Sequence, residues 1–160
     1  MKAEGARVEE LEAVYRSGFE SFVRVATVIT HDAEAARDAV QAAFVAAIRG
    51  RGGYRGESAL EGWVWRIVVN EARRAARTRL DADGLPEAVA ANGHSGDDLG
   101  VRRYVAALPQ RQREAVFLRY FADLDYRTIA RVLDLEPGTV SATLSAAHQT
   151  LRKRLEATAR

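Results

Sequence analysis

The chain has no cysteine, three prolines, one methionine and only 8% aromatic residues. Without cysteine there is no disulfide scaffold, thiolate zinc site, iron–sulfur cluster or cysteine nucleophile. No apolar run approaches the ~18 residues of a membrane span, so no membrane association is expected. Met1-Lys2-Ala3-Glu4-Gly5 lacks the apolar core of a signal peptide. Histidine is scarce and scattered, at His31, His94 and His148. That spacing suits no metal, and no cofactor is expected. A phosphate loop of the Gly-x4-Gly-Lys type is missing, and Gly50-Arg51-Gly52-Gly53 does not follow a strand. The chain reads as a soluble cytoplasmic protein and not an enzyme.

Hydrophobic residues make up 48% of the 160, and net charge is only +2, so the chain is expected to fold. The length allows one medium domain or two small ones of about 70–80 residues each. The charge is unevenly placed. Residues 1–80 carry 13 basic and 11 acidic side chains, residues 81–98 none basic and five acidic, and residues 99–160 carry 11 basic and six acidic. Arginine supplies 22 of the 24 positive charges. Its planar fork suits phosphates and base edges, although a GC-rich genome also enriches it.

Thirty alanines and the lack of period-two alternation predict an all-α protein. Val8, Leu11, Tyr15, Phe19, Phe22, Ala26 and Ile29 form one stripe down a first helix. Asp32 is placed to cap a second, whose stripe runs Ala33, Ala36, Val40, Phe44 and Ala47. A loop rich in glycine follows, from Gly50 to Gly56. Ser58 with Glu61 reads as a capping box for a third helix reaching about Arg79. These elements predict a small N-terminal bundle of three to four helices over residues 5–80. Residues 81–98 have no periodicity and read as an acidic flexible linker.

Residues 99–158 predict four shorter helices. Leu99 to Ala107 comes first, and Pro109 suits the first turn of the next, which runs to about Ala122. Asp125 caps Tyr126 to Leu133, and Pro137 starts the last helix. With Ala130 at the crossing and Ile129, Leu133, Leu135, Val140 and Leu144 as anchors, the last pair has the pattern of a helix-turn-helix. A plain αα-hairpin stays open on this pattern alone. Asp134 stands where such turns prefer glycine.

Several residues carry nucleic-acid chemistry. Arg66, Asn70, Arg73 and Arg77 share one face of the third helix, with Arg74 beside them. An arginine row can hold phosphates while an amide reads a base edge. Tyr54, Trp63 and Trp65 lie at the glycine-rich loop and the helix start, where unpaired bases could stack. Positions 63 and 65 point in different directions on a helix, so one of the two is expected to be core.

Two stretches resemble the extracytoplasmic-function sigma factors, small bacterial transcription initiation factors. The first holds Asp38-Ala39-Val40-Gln41-Ala42-Ala43-Phe44, Tyr54-Arg55-Gly56-Glu57-Ser58-Ala59-Leu60 and Trp63-Val64-Trp65-Arg66-Ile67. The second holds Leu108-Pro109-Gln110-Arg111-Gln112-Arg113-Glu114, Leu124-Asp125-Tyr126-Arg127-Thr128-Ile129-Ala130 and Gly138-Thr139-Val140. The resemblance implies a factor that binds core RNA polymerase and promoter DNA and is restrained by an anti-sigma factor. It implies −10 recognition and melting by Tyr54, Trp63, Trp65, Arg66, Asn70, Arg73, Arg74 and Arg77. Asp38, Gln41 and Phe44 would meet the polymerase. Arg119, Tyr126, Arg127, Thr139, Ser141, Thr143, Ser145 and His148 would lie at the −35 element. The pattern departs from the family in the last helix, where Ser141 to Thr150 carries no formal charge. A stand-alone helix-turn-helix regulator is the alternative, but a sensor domain has no need of aromatics beside an arginine row.

Overall fold

In the computed structural model, which describes residues 4–83 and 103–160, six helices of eight residues or more and one short 3₁₀ turn make up most of the regular structure, with no strand among those residues. Helix α1 spans Val8–Thr30, α2 Ala33–Gly50 and α3 Leu60–Asp83, with the 3₁₀ turn Arg51–Gly53 between the last two. In the second half α4 spans Gln110–Tyr120, α5 Tyr126–Leu133 and α6 Pro137–Thr158. Residues 103–106 are also helical. The start of the helix expected from Leu99, and most of the expected linker, lie outside the described residues.

Local chemistry sets most of the boundaries. Asp32 Oδ1 accepts from the Ala35 backbone N–H at 2.7 Å, and Asp125 Oδ1 from that of Thr128 at 2.7 Å. Each carboxylate thus satisfies a donor left orphaned in a first helical turn. The Thr128 N–H holds the Asp125 carboxyl below its usual range. Between α5 and α6, Asp134 adopts a left-handed conformation with φ 56°, and Leu135 N–H reaches the Ala130 carbonyl at 2.8 Å. The turn expected of a helix-turn-helix therefore forms without glycine.

Three boundaries differ from expectation. Helix α3 begins at Leu60, two residues beyond Ser58, and runs to Asp83, three residues into the segment read as linker. Nothing in Leu80-Asp81-Ala82 opposes helix formation. Pro109 is the N-cap of α4, not its first helical residue.

The core of the first bundle is built from the predicted stripes. Phe22, Val25 and Ala26 of α1 meet Val40, Ala43 and Phe44 of α2 and Val64, Trp65, Val68 and Val69 of α3, all buried. Phe22 lies 5.4 Å from the Phe44 ring and 4.4 Å from that of Trp65, tilted against both. Such angled pairs add to the gain from area burial. In the second half, Leu118, Ile129, Leu133, Val140 and Leu144 interlock α4, α5 and α6.

The two halves also pack on each other. Gly62 of α3 faces α5: a Cβ there would stand 3.0 Å from Thr128 Cγ2. Ser21 of α1 donates to the Phe121 carbonyl after α4 at 3.4 Å, and the Arg24 guanidinium sits 5.7 Å from the Phe121 ring centre.

His31, which ends α1 with φ 58°, lies near this junction. Burial first, then the charges of Arg113 and Arg79, pushes its imidazole below the ordinary value. Arg79 is itself shared with Asp32 at 3.6 Å. The unfolded chain therefore binds this proton more readily than the folded one. Stability is present above the ordinary pKa of about 6.5 and falls as pH drops through it. Thermal melts taken between about pH 8 and pH 5.5 should show the loss, and His31→Asn, which keeps the left-handed backbone, should flatten it. An equally steep profile in the variant would assign the dependence to other groups.

Candidate nucleic-acid interface

The glycine-rich loop is anchored at its base. Ala6 N–H donates to the Arg51 carbonyl at 2.9 Å, and a Cβ on Gly5 would lie 2.2 Å from that oxygen, so only glycine lets the N-terminal segment approach. At the far side of the loop, Tyr54 Oη donates to the Ser58 carbonyl at 2.5 Å. The Tyr54 ring rests 5.6 Å from that of Trp63, and both are half-buried. Ser58 thus fixes the aromatic pair and does not cap α3.

Down α3 from this pair, Arg66, Asn70 and Arg77 are exposed on one face at spacings that keep them in register. Arg74 is exposed beside them, 3.5 Å from Glu71. Arg73 completes the row but is only 28% exposed on its side chain and is paired with Glu114 at 2.8 Å. Between the loop, α3 and α5 lies a cleft of about 280 Å³ lined by Tyr54, Arg55, Trp63, Arg66, Thr128 and Arg131. Guanidinium groups and half-exposed rings on one concave surface suit a polyanion whose bases can stack.

Two residues expected in sites are core instead. Trp65 is 1% exposed and packs on Phe22, so no base can reach it; Trp63 is the available ring. Phe44 is 6% exposed and sits edge-on to Tyr15 at 4.8 Å. Asp38 and Gln41 do face outward, and the large apolar residues exposed on α2 are Val45 and Ile48. Residues 41, 45 and 48 share a face by helical spacing, a signal that the sequence itself carries.

On α6, Thr139, Ser141, Ser145 and His148 are exposed, whereas Thr143 is half-buried with its hydroxyl given to the Thr139 carbonyl at 2.7 Å. Tyr120, not anticipated, is well exposed, and its hydroxyl lies 2.8 Å from His148 Nε2. Tyr126 and Arg127 are exposed at the start of α5. Arg119 donates to the Leu124 carbonyl at 3.3 Å and lies 5.9 Å from the Tyr126 ring centre, which fixes its direction. Among the described residues there is no group of three acidic or histidine side chains able to hold a metal, and no helix long and apolar enough to cross a membrane.

Two helical units, one carrying an arginine face and one a helix-turn-helix, define a helical DNA-binding protein. Residues 17–80 match the family model of sigma-70 region 2, and residues 99–151 that of sigma-70, region 4. The RNA polymerase sigma-H factor of Pseudomonas aeruginosa is 32% identical, covering 79% of this chain and 76% of that protein. The ECF RNA polymerase sigma-E factor of Escherichia coli K12 is 30% identical, covering 74% and 73%. Among solved structures, the sigma factor RpoE of Bartonella quintana, in complex with the anti-sigma factor NepR, shares the fold with a TM-score of 0.77 at 24% identity, over 93% of this chain and 98% of that one. CnrH, in complex with the cytosolic domain of CnrY, does so with a TM-score of 0.69 at 19% identity, over 95% and 91%. The chain belongs to the sigma-70 family of RNA polymerase sigma factors, in its extracytoplasmic-function branch, and serves promoter-specific transcription initiation.

Proposed function

We propose that this chain acts in the cytoplasm by binding alone, with residues 5–80 and 99–158 as two working units that divide the promoter between them. The first unit meets core RNA polymerase through Asp38, Gln41, Val45 and Ile48 of α2, an exposed face that mixes polar and apolar groups. Its loop and α3 capture the opened −10 strand. Phosphates lie on Arg66, Arg73, Arg74 and Arg77, Asn70 reads a base edge, and a flipped base stacks on Trp63. The observation that carries this reading is the row of Arg66, Asn70 and Arg77 in line with the Tyr54–Trp63 pair.

The second unit addresses the −35 element through α6, with Arg119, Tyr126 and Arg127 on the backbone. Because α6 offers hydroxyls and one imidazole where arginine forks would bind guanine, this contact is weak. Ser141→Arg with Ser145→Arg, both at exposed positions, should tighten binding to a −35 duplex by about tenfold or more per productive contact. An unchanged dissociation constant would mean that this face of α6 does not enter the groove. Since the RpoE structure holds the anti-sigma factor NepR, an anti-sigma protein is the expected regulator of this chain as well.

Run-off transcription with core polymerase tests the reading. Promoter-specific transcripts that need both the chain and the core support it; specific DNA binding by the chain alone, without stimulated initiation, would replace it with a stand-alone regulator.

A further inference from the structure

The loop between α2 and α3 has little to hold itself by. Of residues 51–59 only Tyr54 and Ser58 are withdrawn from solvent, and both are no more than half-buried. A Cβ on Gly52 or Gly53 would meet nothing within 4 Å. Glycine loses more conformational freedom on ordering than any other residue, so a turn built this way needs an outside tie.

Residues 4–7 supply it. Their direction is set by α1: the Arg7 N–H donates to Glu10 Oε2 at 2.9 Å, and Leu11, one turn on, is 1% exposed in the core. Ala6, just before, is buried, and its N–H donates to the Arg51 carbonyl. The same oxygen accepts from the Tyr54 N–H at 3.2 Å. One carbonyl thus joins the N-terminal segment to the residue whose ring rests on Trp63. Gly5 lies directly over this point, where a Cβ would stand 2.5 Å from Gly52 Cα as well as against the Arg51 oxygen. Both neighbours are backbone, so no change of rotamer relieves the clash.

We infer that residues 4–7 position the strand-binding loop, with Gly5 as a positioning residue. It lets one carbonyl hold the segment and Tyr54 together, and so sets where Trp63 presents its ring to a base. This rests on the reading of Trp63 as the stacking platform. No residue of the segment contacts DNA in that reading.

Gly5→Ala tests the assignment on the full chain. The added methyl should lift the segment from Arg51 and speed hydrogen exchange at the Ala6 and Tyr54 amides. Affinity for a short labelled oligo-dT strand should fall about fivefold or more, the lower end of what one stacking platform contributes. Gly52→Ala, in the same loop but facing open space, should change neither. The loss should also vanish in a Trp63→Ala background, because Gly5 acts through that ring. A glycine that merely stabilised the fold would weaken binding equally in both backgrounds. In the unmodified chain, saturating oligo-dT should slow exchange at Ala6 together with Tyr54.

Unchanged exchange at Tyr54 in folded Gly5→Ala, an equal loss in the Trp63→Ala background, or strand protection that stops at Tyr54 would each overturn the assignment. Thermal melts establish whether Gly5→Ala is folded; if it is not, protection of Ala6 in the unmodified chain decides the matter. A Trp63→Ala variant that binds the strand normally would count against the functional reading. Amide exchange in Gly5→Ala, measured without DNA, would still decide whether the segment holds the loop.

Discussion

Trp65→Ala should strongly destabilise the first bundle, whereas Trp63→Ala, two residues earlier, should leave its stability nearly unchanged and cripple promoter opening. Trp65 is buried against Phe22 in the centre of three helices. Removing so large a core side chain costs about 3–5 kcal/mol, because the cavity collapses only partly. A small domain holds only about 5–15 kcal/mol in all, so its melting temperature should fall by roughly 10 °C or more. Trp63 is half-buried at the rim, where its ring rests on Tyr54. Its loss removes a stacking platform worth about 1–3 kcal/mol per base, which at about 1.4 kcal/mol per decade is roughly fivefold to a hundredfold in strand affinity. Thermal melts and permanganate footprinting of the opened −10 region separate the two effects. Equal melting of both variants, or normal opening by Trp63→Ala, would remove Trp63 from the site.

The arginine row makes the second large prediction. Arg66 and Arg77 are exposed on the same face of α3, on either side of the engaged Arg73. Converting both to alanine should weaken single-strand binding by about tenfold or more at moderate salt, since most of that affinity comes from counterion release. The logarithmic salt slope should become shallower by about 1.4, roughly 0.7 for each lost phosphate contact. Anisotropy titrations across a salt series give both values. A slope that does not move would show that these guanidinium groups do not touch the backbone.

Much of this architecture was legible because it is local. Stripes at spacings of three and four set α1 and α2, Asp32 and Asp125 set two helix starts, and Asp134 was expected to turn left-handed as it does. The site was less legible where one residue was asked to do two things. Phe44 sits on the same stripe as Ala36, Val40 and Ala47, so its burial followed from the periodicity that also made it a docking candidate. Trp65 likewise shares a face with Val68, Val69 and Ala72, all buried. That spacing separates it from Trp63. By contrast, no local pattern joins Arg73 to Glu114, Ser21 to Phe121 or Gly62 to Thr128. Such pairs are set by how one half of the chain lands on the other, which no spacing rule within a helix contains.

One feature of α3 has a mechanical meaning. The helix is unbroken from Leu60 to Asp83, and its lower part is tied to the first bundle where Arg79 donates to the Thr30 carbonyl at 3.1 Å. Gly62 and Arg73 are therefore two points about 16 Å apart on one rigid rod. A partner gripping both points must leave both together or bend a helix that has no hinge. Contacts so far apart make independent energetic contributions, but they bear on one equilibrium, the packing of the second half against α3. Weakening each by a given factor multiplies the ratio of separated to packed halves by the product of the two factors, so modest changes at both ends shift that ratio far more than either does alone.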